Sequence, residues 1–304
     1  MRGWSTSWAK ECDTLVLSSK LHYKLLGSPH PLDNYDLEMT ATYLDAIETY
    51  HRKRASLDTR EWRTRRSQVR YDGPRLDEAL ARSAGPYVKV IAEIKRRSPS
   101  KGWLGEHLDA AGLASDYAVG GASAISVLTD EPHFAGSRGD LEAVARAVTV
   151  PVLRKDFTVS ENDVLDAAEM GASGVLLIAA ILDADELSRY VALALDIGLS
   201  PLVEVHDARE ADVALASGAR LIGVNQRDLH TFKVNPEHAA AVIATLPGEI
   251  IRVAESGLRT VHDVERAAQA GFDAVLVGEV FVKSSSPIES VREFSSVVLG
   301  DPRG

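Results

Sequence analysis

From Val88 onward the chain alternates a short apolar run with an amphipathic run, eight times without a break. This alternation constrains the fold more than any other feature of the sequence. The apolar, β-branched runs predict strands at Val88–Ile94, Ala124–Leu128, Val152–Lys155, Gly174–Ile178, Leu202–Val205, Leu221–Asn225, Ile250–Ala254 and Ala274–Val277. The segments between them predict helices at Leu108–Val119, Asp140–Ala147, Asn162–Met170, Ala184–Leu195, Ala208–Ser217, Pro236–Ala244, Val261–Ala270 and Pro287–Val297. Four junctions from helix into strand share a leading glycine, at Gly121, Gly171, Gly218 and Gly271. Glycine there accommodates a left-handed helix cap. Strands that are apolar throughout are buried on both faces, as in a parallel sheet. Units repeating at roughly 25 residues, or twice that, read as one strand and one helix each. Eight of them predict an α/β protein of the closed (β/α)₈ TIM-barrel class. An open doubly wound sheet is the competitor. It often carries a glycine-rich first turn, and neither G-x-G-x-x-G nor G-x-x-x-x-G-K-[ST] occurs in this chain.

Upstream of the barrel the pattern is weaker. Residues 1–38 hold Gly27, Pro29 and Pro31 and no sustained period, which predicts a poorly ordered extension. Residues 39–86 predict an N-terminal helical segment, with Leu44, Ile47 and Tyr50 at three-residue steps through about Arg54 and a second short helix at Leu76–Arg82. Five arginines lie between Arg60 and Arg70. They read as a solvated connector or helix face, with a nucleic-acid patch as the alternative. Residues 87–300 make up the barrel. The formal charge of −10 argues against a general nucleic-acid or membrane-surface binder. The single cysteine, Cys12, forbids an intrachain disulfide. No apolar run has the length of a membrane span, and the first twenty residues lack the apolar core of a signal peptide. The expectation is a cytoplasmic protein, a monomer or weak oligomer, with a small-molecule substrate.

In such a barrel the chemistry lies at the C-terminal ends of the strands. The first strand ends in Glu93 and Lys95, two residues apart and therefore on one face. A polar loop follows at Ser98-Pro99-Ser100-Lys101-Gly102. The third strand offers Lys155 and Phe157 on one face, Arg154 and Asp156 on the other. The fifth offers Glu204, the sixth Asn225 and Arg227. The seventh ends in Glu255-Ser256-Gly257 and the eighth in Gly278-Glu279. Strands one, three and five thus aim two amines and two carboxylates at one mouth. Such a group pushes pKa values apart and supplies separate acids and bases. A lysine beside another cation loses proton affinity, which suits it to proton transfer. The small-residue turns after strands seven and eight let backbone approach a phosphate, with Ser98 completing the cup from the neighbouring first strand. Glu255 also reads as a cap for the helix that follows. The sequence shows no Cys/His ligand cluster, and lysines would compete with a cation for the carboxylates, so no metal is expected. A lysine Schiff base with a sugar carbonyl is a further alternative.

These residues fall within six motifs: Ile-Ala-Glu-Ile-Lys-Arg-Arg-Ser-Pro-Ser-Lys-Gly at 91–102, Pro-Val-Leu-Arg-Lys-Asp-Phe at 151–157, Val-Glu-Val-His at 203–206, Gly-Val-Asn-Gln-Arg-Asp-Leu at 223–229, Ala-Glu-Ser-Gly-Leu at 254–258 and Val-Leu-Val-Gly-Glu at 275–279. In this order, over about residues 40–290, the chain resembles the indole-3-glycerol phosphate synthase family. The resemblance implies a (β/α)₈ barrel with an added N-terminal segment over its mouth, here residues 39–86. It implies closure of an indole ring on 1-(2-carboxyphenylamino)-1-deoxy-D-ribulose 5-phosphate, with loss of carbon dioxide and water and with no cofactor or metal. Lys155 would be the acid on the ribulose carbonyl. Lys95 would contact the substrate carboxylate and serve the dehydration. Glu204, held by Asn225, and Glu93 would be catalytic carboxylates, their division of acid and base roles with Lys95 left open. Arg227 would lie near the anthranilate carboxylate. Phosphate contacts would come from Ser98, Ser256, Gly257, Gly278 and Glu279. The position of Glu279 varies in the family. A carboxylate cannot donate to phosphate, so only its backbone N–H would contribute, with the side chain turned away. Phosphoribosylanthranilate isomerase chemistry, on a related barrel, needs an early cysteine, and Cys12 precedes the barrel. A catalytically idle scaffold is the third reading, and the presence of Lys155 and Glu204 argues against it.

Overall fold

Strand-capable runs and helix caps alternate along the chain and divide it into its elements. In the computed structural model, which describes residues 43–98, 101–227 and 233–300, eight strands form: β1 Lys89–Ile94, β2 Ala124–Leu128, β3 Val152–Lys155, β4 Gly174–Ile178, β5 Ser200–Val205, β6 Leu221–Asn225, β7 Ile251–Glu255 and β8 Ala274–Val277. Each pairs in parallel with its chain neighbours, and β1 pairs with β8, so the sheet closes into a barrel. The helices return outside it. Their starts are written in the sequence as side chains that accept the N3 backbone N–H: Asp109, Ser137, Ser160, Asp183, Asp207, Asn235 and Thr260. These caps also explain small shifts from the expected boundaries. The helix expected from Leu108 begins at Ala110 because Asp109 caps it, and that expected from Asp140 begins at Arg138, capped by Ser137. Gly121 and Gly271 close their helices at φ of 98° and 102°, the left-handed caps expected of glycine.

Alternate residues of each strand face the barrel axis. Among the odd strands, Ile91, Leu153, Leu202 and Val253 are fully buried and share one level, as the layered interior of such barrels requires. Two residues further along each strand, at the C-terminal ends, come Glu93, Lys155, Glu204 and Glu255.

The segment before β1 differs from the expectation that residues 39–86 cover the mouth. Helix Tyr43–Ser56 does lie there, with Tyr43, Leu44 and Ile47 lining the mouth cavity. Helix Leu76–Leu80 lies at the opposite end. Leu76 and Leu80 are fully buried, and Leu76 packs so closely on Gly174, the first residue of β4, that a Cβ there would come within 2.6 Å of it. Asp77 accepts a hydrogen bond from the Ser200 hydroxyl at the start of β5, at 2.7 Å. The chain between the two helices runs down the barrel wall, and ion pairs hold it. Arg60 and Arg65 converge on Asp166 at 2.7 and 2.6 Å, and Arg66 pairs with Asp196 at 2.8 Å. Lower down, Tyr71 donates its backbone N–H to Ile197 O at 2.8 Å and bonds Ser173 Oγ at 2.5 Å. The arginine-rich stretch is therefore a strap whose cations meet the protein's own carboxylates. The expectation for residues 1–38, Met39 to Thr42 of the first helix, Pro99 and Ser100 of the β1 loop, and Asp228 and Leu229 of the fourth motif lie outside the described residues.

Burial alone would raise the Asp166 carboxyl, but Arg60 and Arg65 outweigh it and hold it below the usual carboxylate range. Such a group adds stability above its unfolded pKa, about 3.9, and that stability is lost as pH falls through the lower folded value. Asp166→Asn is therefore expected to cost about 2 kcal/mol at neutral pH. It should also flatten the loss of stability below about pH 4. Urea denaturation of both proteins at neutral and acid pH checks this, and identical pH slopes would contradict it.

Candidate active site

A cavity of about 450 Å³ opens at the C-terminal ends of the strands. All thirteen residues expected at the site line it: Glu93, Lys95, Ser98, Lys155, Phe157, Glu204, Asn225, Arg227, Glu255, Ser256, Gly257, Gly278 and Glu279. Its floor is the uppermost layer of the barrel interior, one side chain from each odd strand.

Lys155 is the centre of that layer. Its ammonium donates to Glu204 Oε2 at 3.1 Å and lies 3.8 Å from Glu255 Oε2. Glu204 Oε1 accepts from Asn225 Nδ2 at 2.9 Å, and Asn225 Oδ1 accepts the backbone N–H of Arg227 at 3.1 Å. Glu93 pairs with Lys95 across the edge of the layer. Glu93, Glu204 and Glu255 are each less than 5% exposed.

Three carboxylates around one buried ammonium decide the protonation states. Burial would push Lys155 down, but Glu204, Glu255 and Glu93 outweigh it and raise its pKa above the ordinary lysine value. The expectation that a neighbouring cation lowers the proton affinity of this lysine is thus corrected: its nearest charged neighbours are carboxylates. Burial would raise Glu204, and the charge of Lys155, His206 and the Asn225 hydrogen bond bring it down instead. Glu255 goes the other way. Burial and the negative charge of Glu204 push it well above the usual range, and Lys155 offsets only part of that. The site therefore sets a carboxyl of lowered pKa and a carboxyl of raised pKa on either side of a charged lysine.

Glu255 is thus a fourth corner of the charge group and does not cap the next helix, which Thr260 caps. The sequence signal for it lies on another strand. Gly223 of β6 leaves the space: a Cβ there would stand 1.9 Å from Glu255 Oε1. Gly278 does the same for Glu93, whose Oε1 would meet a Cβ at 2.6 Å. Glycines inside strands mark such close approaches.

The second half of the cavity is lined by turns. Ser256 and Gly257 both have positive φ, 67° and 78°, so two successive backbone N–H groups turn out of the strand line after β7. Glu279 begins the short helix Glu279–Val282, and its carboxylate is turned onto Lys283 at 2.8 Å. Ser98 sits in a two-stranded ribbon, Arg97–Ser98 with Gly102–Trp103. Arg96 anchors that loop through Asp140 at 2.7 Å and Leu108 O at 2.7 Å. Arg227 is partly buried, and burial together with nearby Arg259 lowers its pKa. Phe157 is positioned from behind: its N–H donates to Asp156, which is itself bonded to buried Arg154 at 2.7 Å. Sequence reasoning missed Tyr43, Leu44, Ile47, Phe134 and Arg259 as lining residues. They come from separate segments whose meeting no local pattern announces.

The sequence shows no ligand cluster containing histidine, yet the fold brings His51, Asp130 and His133 within 4.8 Å of one another, outside the cavity's charged floor. Only tertiary packing joins residue 51 to residues 130 and 133.

Known proteins agree with this architecture. Among solved structures, a thiamine phosphate pyrophosphorylase from Pyrococcus furiosus superposes with a TM-score of 0.53 at 16% identity, covering 68% of this chain and 93% of that one. That likeness concerns the fold alone. The sequence comparisons are closer. A curated indole-3-glycerol phosphate synthase from Beutenbergia cavernae is 50% identical over 206 residues, 68% of this chain and 76% of that protein. One from Streptomyces griseus is 46% identical over 240 residues, 79% of this chain and 87% of that protein. The family model described as indole-3-glycerol phosphate synthase matches residues 44–294, the helix at the mouth and the whole barrel together, and the chain belongs to that family.

Proposed function

We propose that this cavity carries the family's reaction: ring closure, decarboxylation and dehydration of 1-(2-carboxyphenylamino)-1-deoxy-D-ribulose 5-phosphate to indole-3-glycerol phosphate. This is a carboxy-lyase step of tryptophan biosynthesis. The observation that carries the reading is the Lys155 ammonium on the cavity floor, 3.1 Å from Glu204 Oε2 and 3.8 Å from Glu255 Oε2.

Ring closure makes a carbon–carbon bond from the aryl carbon that bears the carboxylate to the ribulose carbonyl. Negative charge grows on the carbonyl oxygen and must be met by a proton donor. Lys155 is that donor. Its raised pKa keeps it charged when substrate arrives, and the oxygen becomes basic enough to take the proton only as the bond forms. The amine left behind faces Glu255, whose raised pKa suits it to pass a proton back to the lysine. Loss of carbon dioxide then returns the ring to aromaticity. Dehydration needs an acid on the departing hydroxyl and a base for the neighbouring proton. Glu93 and Lys95 form one such pair at the edge of the floor, and Glu204, oriented by Asn225, is the carboxylate beside the reacting carbons. Arg227 and Lys95 hold the carboxylate of the anthranilate end until it leaves. Phe157 packs against the ring. Ser98 and the backbone N–H groups of Ser256, Gly257, Gly278 and Glu279 hold the phosphate, with the Glu279 side chain drawn off by Lys283.

Residues 39–86 act in this reading as the N-terminal segment of the catalytic unit and residues 87–300 as its barrel, with residues 1–38 outside the catalytic machinery. The chain acts as a cytoplasmic monomer or weak oligomer, without nucleic acid. Arg60, Arg65 and Arg66 of the arginine-rich stretch are engaged by Asp166 and Asp196. Among the described residues no helix is long and apolar enough to cross a membrane.

The direct test is to mix the protein with the carboxyphenylamino substrate and follow indole formation by fluorescence. Absence of product would overturn the reading. Lys155→Ala is expected to lower kcat by about 10²–10⁴-fold or more, with an unchanged circular-dichroism spectrum. Near-normal turnover would remove Lys155 as the acid. Asn225→Ala frees Glu204 without removing it. It should lower kcat by about 10- to 100-fold and leave KM nearly unchanged, since the loss is one of orientation. A change confined to KM would assign Asn225 to binding instead.

A further inference from the structure

Building on the reaction proposed above, we infer that His206 is a positioning residue for it: the imidazolium, anchored by Glu210, stands behind Glu204 as a second cation and holds that carboxylate while Lys155 gives up its proton. Glu204 and His206 are two residues apart at the end of β5 and so share one face. The His206 ring stands outside the residues that line the cavity, so it reaches the reacting atoms only through Glu204. Its Nε2 lies 3.8 Å from Glu204 Oε1, the oxygen that also accepts from Asn225 Nδ2 at 2.9 Å. Its Nδ1 lies 3.2 Å from Glu210 Oε2, which also accepts the His206 backbone N–H at 2.7 Å. His238 Nε2 donates to His206 O at 2.9 Å. Ring and backbone are thus tied on three sides. The fourth corner is Nε2, which is buried and has no hydrogen-bond partner among the described residues.

That corner decides the charge of the ring. Glu210 accepts at Nδ1, so Nδ1 carries a proton. A neutral ring would then aim the Nε2 lone pair at a carboxylate oxygen with no donor between them. A charged ring aims an N–H there instead, and closing the gap by about 0.8 Å makes a charge-assisted hydrogen bond. The charged groups facing the ring are Glu204 from β5, Glu210 from helix Ala208–Ala216 and Lys155 from β3, with His238 of helix Pro236–Ile243 on its carbonyl. Burial would lower the His206 pKa, but Glu210 and Glu204 outweigh it and the opposing charge of Lys155, and the pKa is raised. The N-terminus of the helix that follows disfavours a cation, and Glu210 in its first turn offsets that. In the resting site Glu204 Oε2 has the Lys155 ammonium at 3.1 Å. As Lys155 passes its proton to the ribulose oxygen, that charge leaves, and Glu204, 3% exposed, keeps Asn225 and His206. With no second cation the buried carboxylate would be left with a neutral amide alone, which disfavours the transfer. The His206 charge also opposes the Lys155 ammonium and so strengthens the lysine as an acid.

The test titrates the full chain, isotopically labelled in its histidine nitrogens, by NMR, with His206 assigned from the signals that vanish in His206→Gln. His206 is expected to keep Nδ1 protonated throughout and to lose its Nε2 proton only above the ordinary histidine value, about 6.5. Glu210→Gln should lower that midpoint. In steady-state kinetics the wild-type kcat should fall as pH rises through the same midpoint, because the imidazolium is present below it and absent above it. His206→Gln, neutral at every pH, should lack that limb, with kcat reduced about tenfold below the midpoint and KM nearly unchanged. A merely structural role for His206 would lower stability and leave the limb in place. Failure of the reaction itself is read separately, as absent indole fluorescence from a wild-type chain whose His206 titrates as expected. A His206 ring that titrates at or below the ordinary value overturns the inference whether or not the chain forms indole. A kcat and pH profile of His206→Gln equal to those of the wild type also overturn it.

Discussion

Lys155 and its three carboxylate neighbours form the interaction on which the rest of the mouth depends. One charged amine lies in a layer whose other corners are Glu93, Glu204 and Glu255, all buried. Burying these charges separately would cost far more than the fold could supply. Together they are stable because the lysine offsets the carboxylates, and Asn225 and Lys95 take up remaining hydrogen bonds. The same arrangement sets up chemistry. A donor, a carboxyl of lowered pKa and a carboxyl of raised pKa stand side by side before substrate enters, so the charges are already arranged at the moment of reaction.

The barrel and the strap around it hold this layer in place. The four odd strands raise their charged residues from a common apolar level of Ile91, Leu153, Leu202 and Val253. Even strands contribute by what they omit, as at Gly223, where the absence of a side chain admits Glu255. The N-terminal segment ties both ends of the barrel. It begins at the mouth, descends along Asp166 and Asp196, and finishes under β4 and β5 with Leu76 and Asp77. Four of the five arginines between Arg60 and Arg70 meet carboxylates, Arg60 and Arg65 at Asp166 and Arg66 and Arg70 at Asp196, while Arg63 stacks over Trp62.

Much of this was legible before any coordinates. Burial on both faces makes each barrel strand apolar throughout, and capping chemistry marks the helix starts, so element type and order follow from local pattern. The strand ends were legible for the same reason. A charged residue that interrupts an apolar run at its C-terminal end, such as Glu93 or Lys155, stands out against its neighbours. Protonation was not legible in this way. Lys95 suggested a lysine with lowered proton affinity, whereas Lys155 is governed by Glu204 and then by Glu255, a residue a hundred positions away that local pattern offered as a helix cap.

The sequence by itself determined the eightfold alternation, the closed barrel it implies, the family, and thirteen of the residues that line the mouth. Each of these rests on periodicity or on motifs short enough to be read along the chain. Tertiary structure alone decided which side chains touch. It set Glu255 beside Lys155, sent Leu76 to the far end of the barrel, and joined His51 to Asp130 and His133. The reason is physical: pKa values, close packing and ligand geometry depend on separations of a few ångströms through space. Closing the barrel brings together residues that the linear order keeps many positions apart.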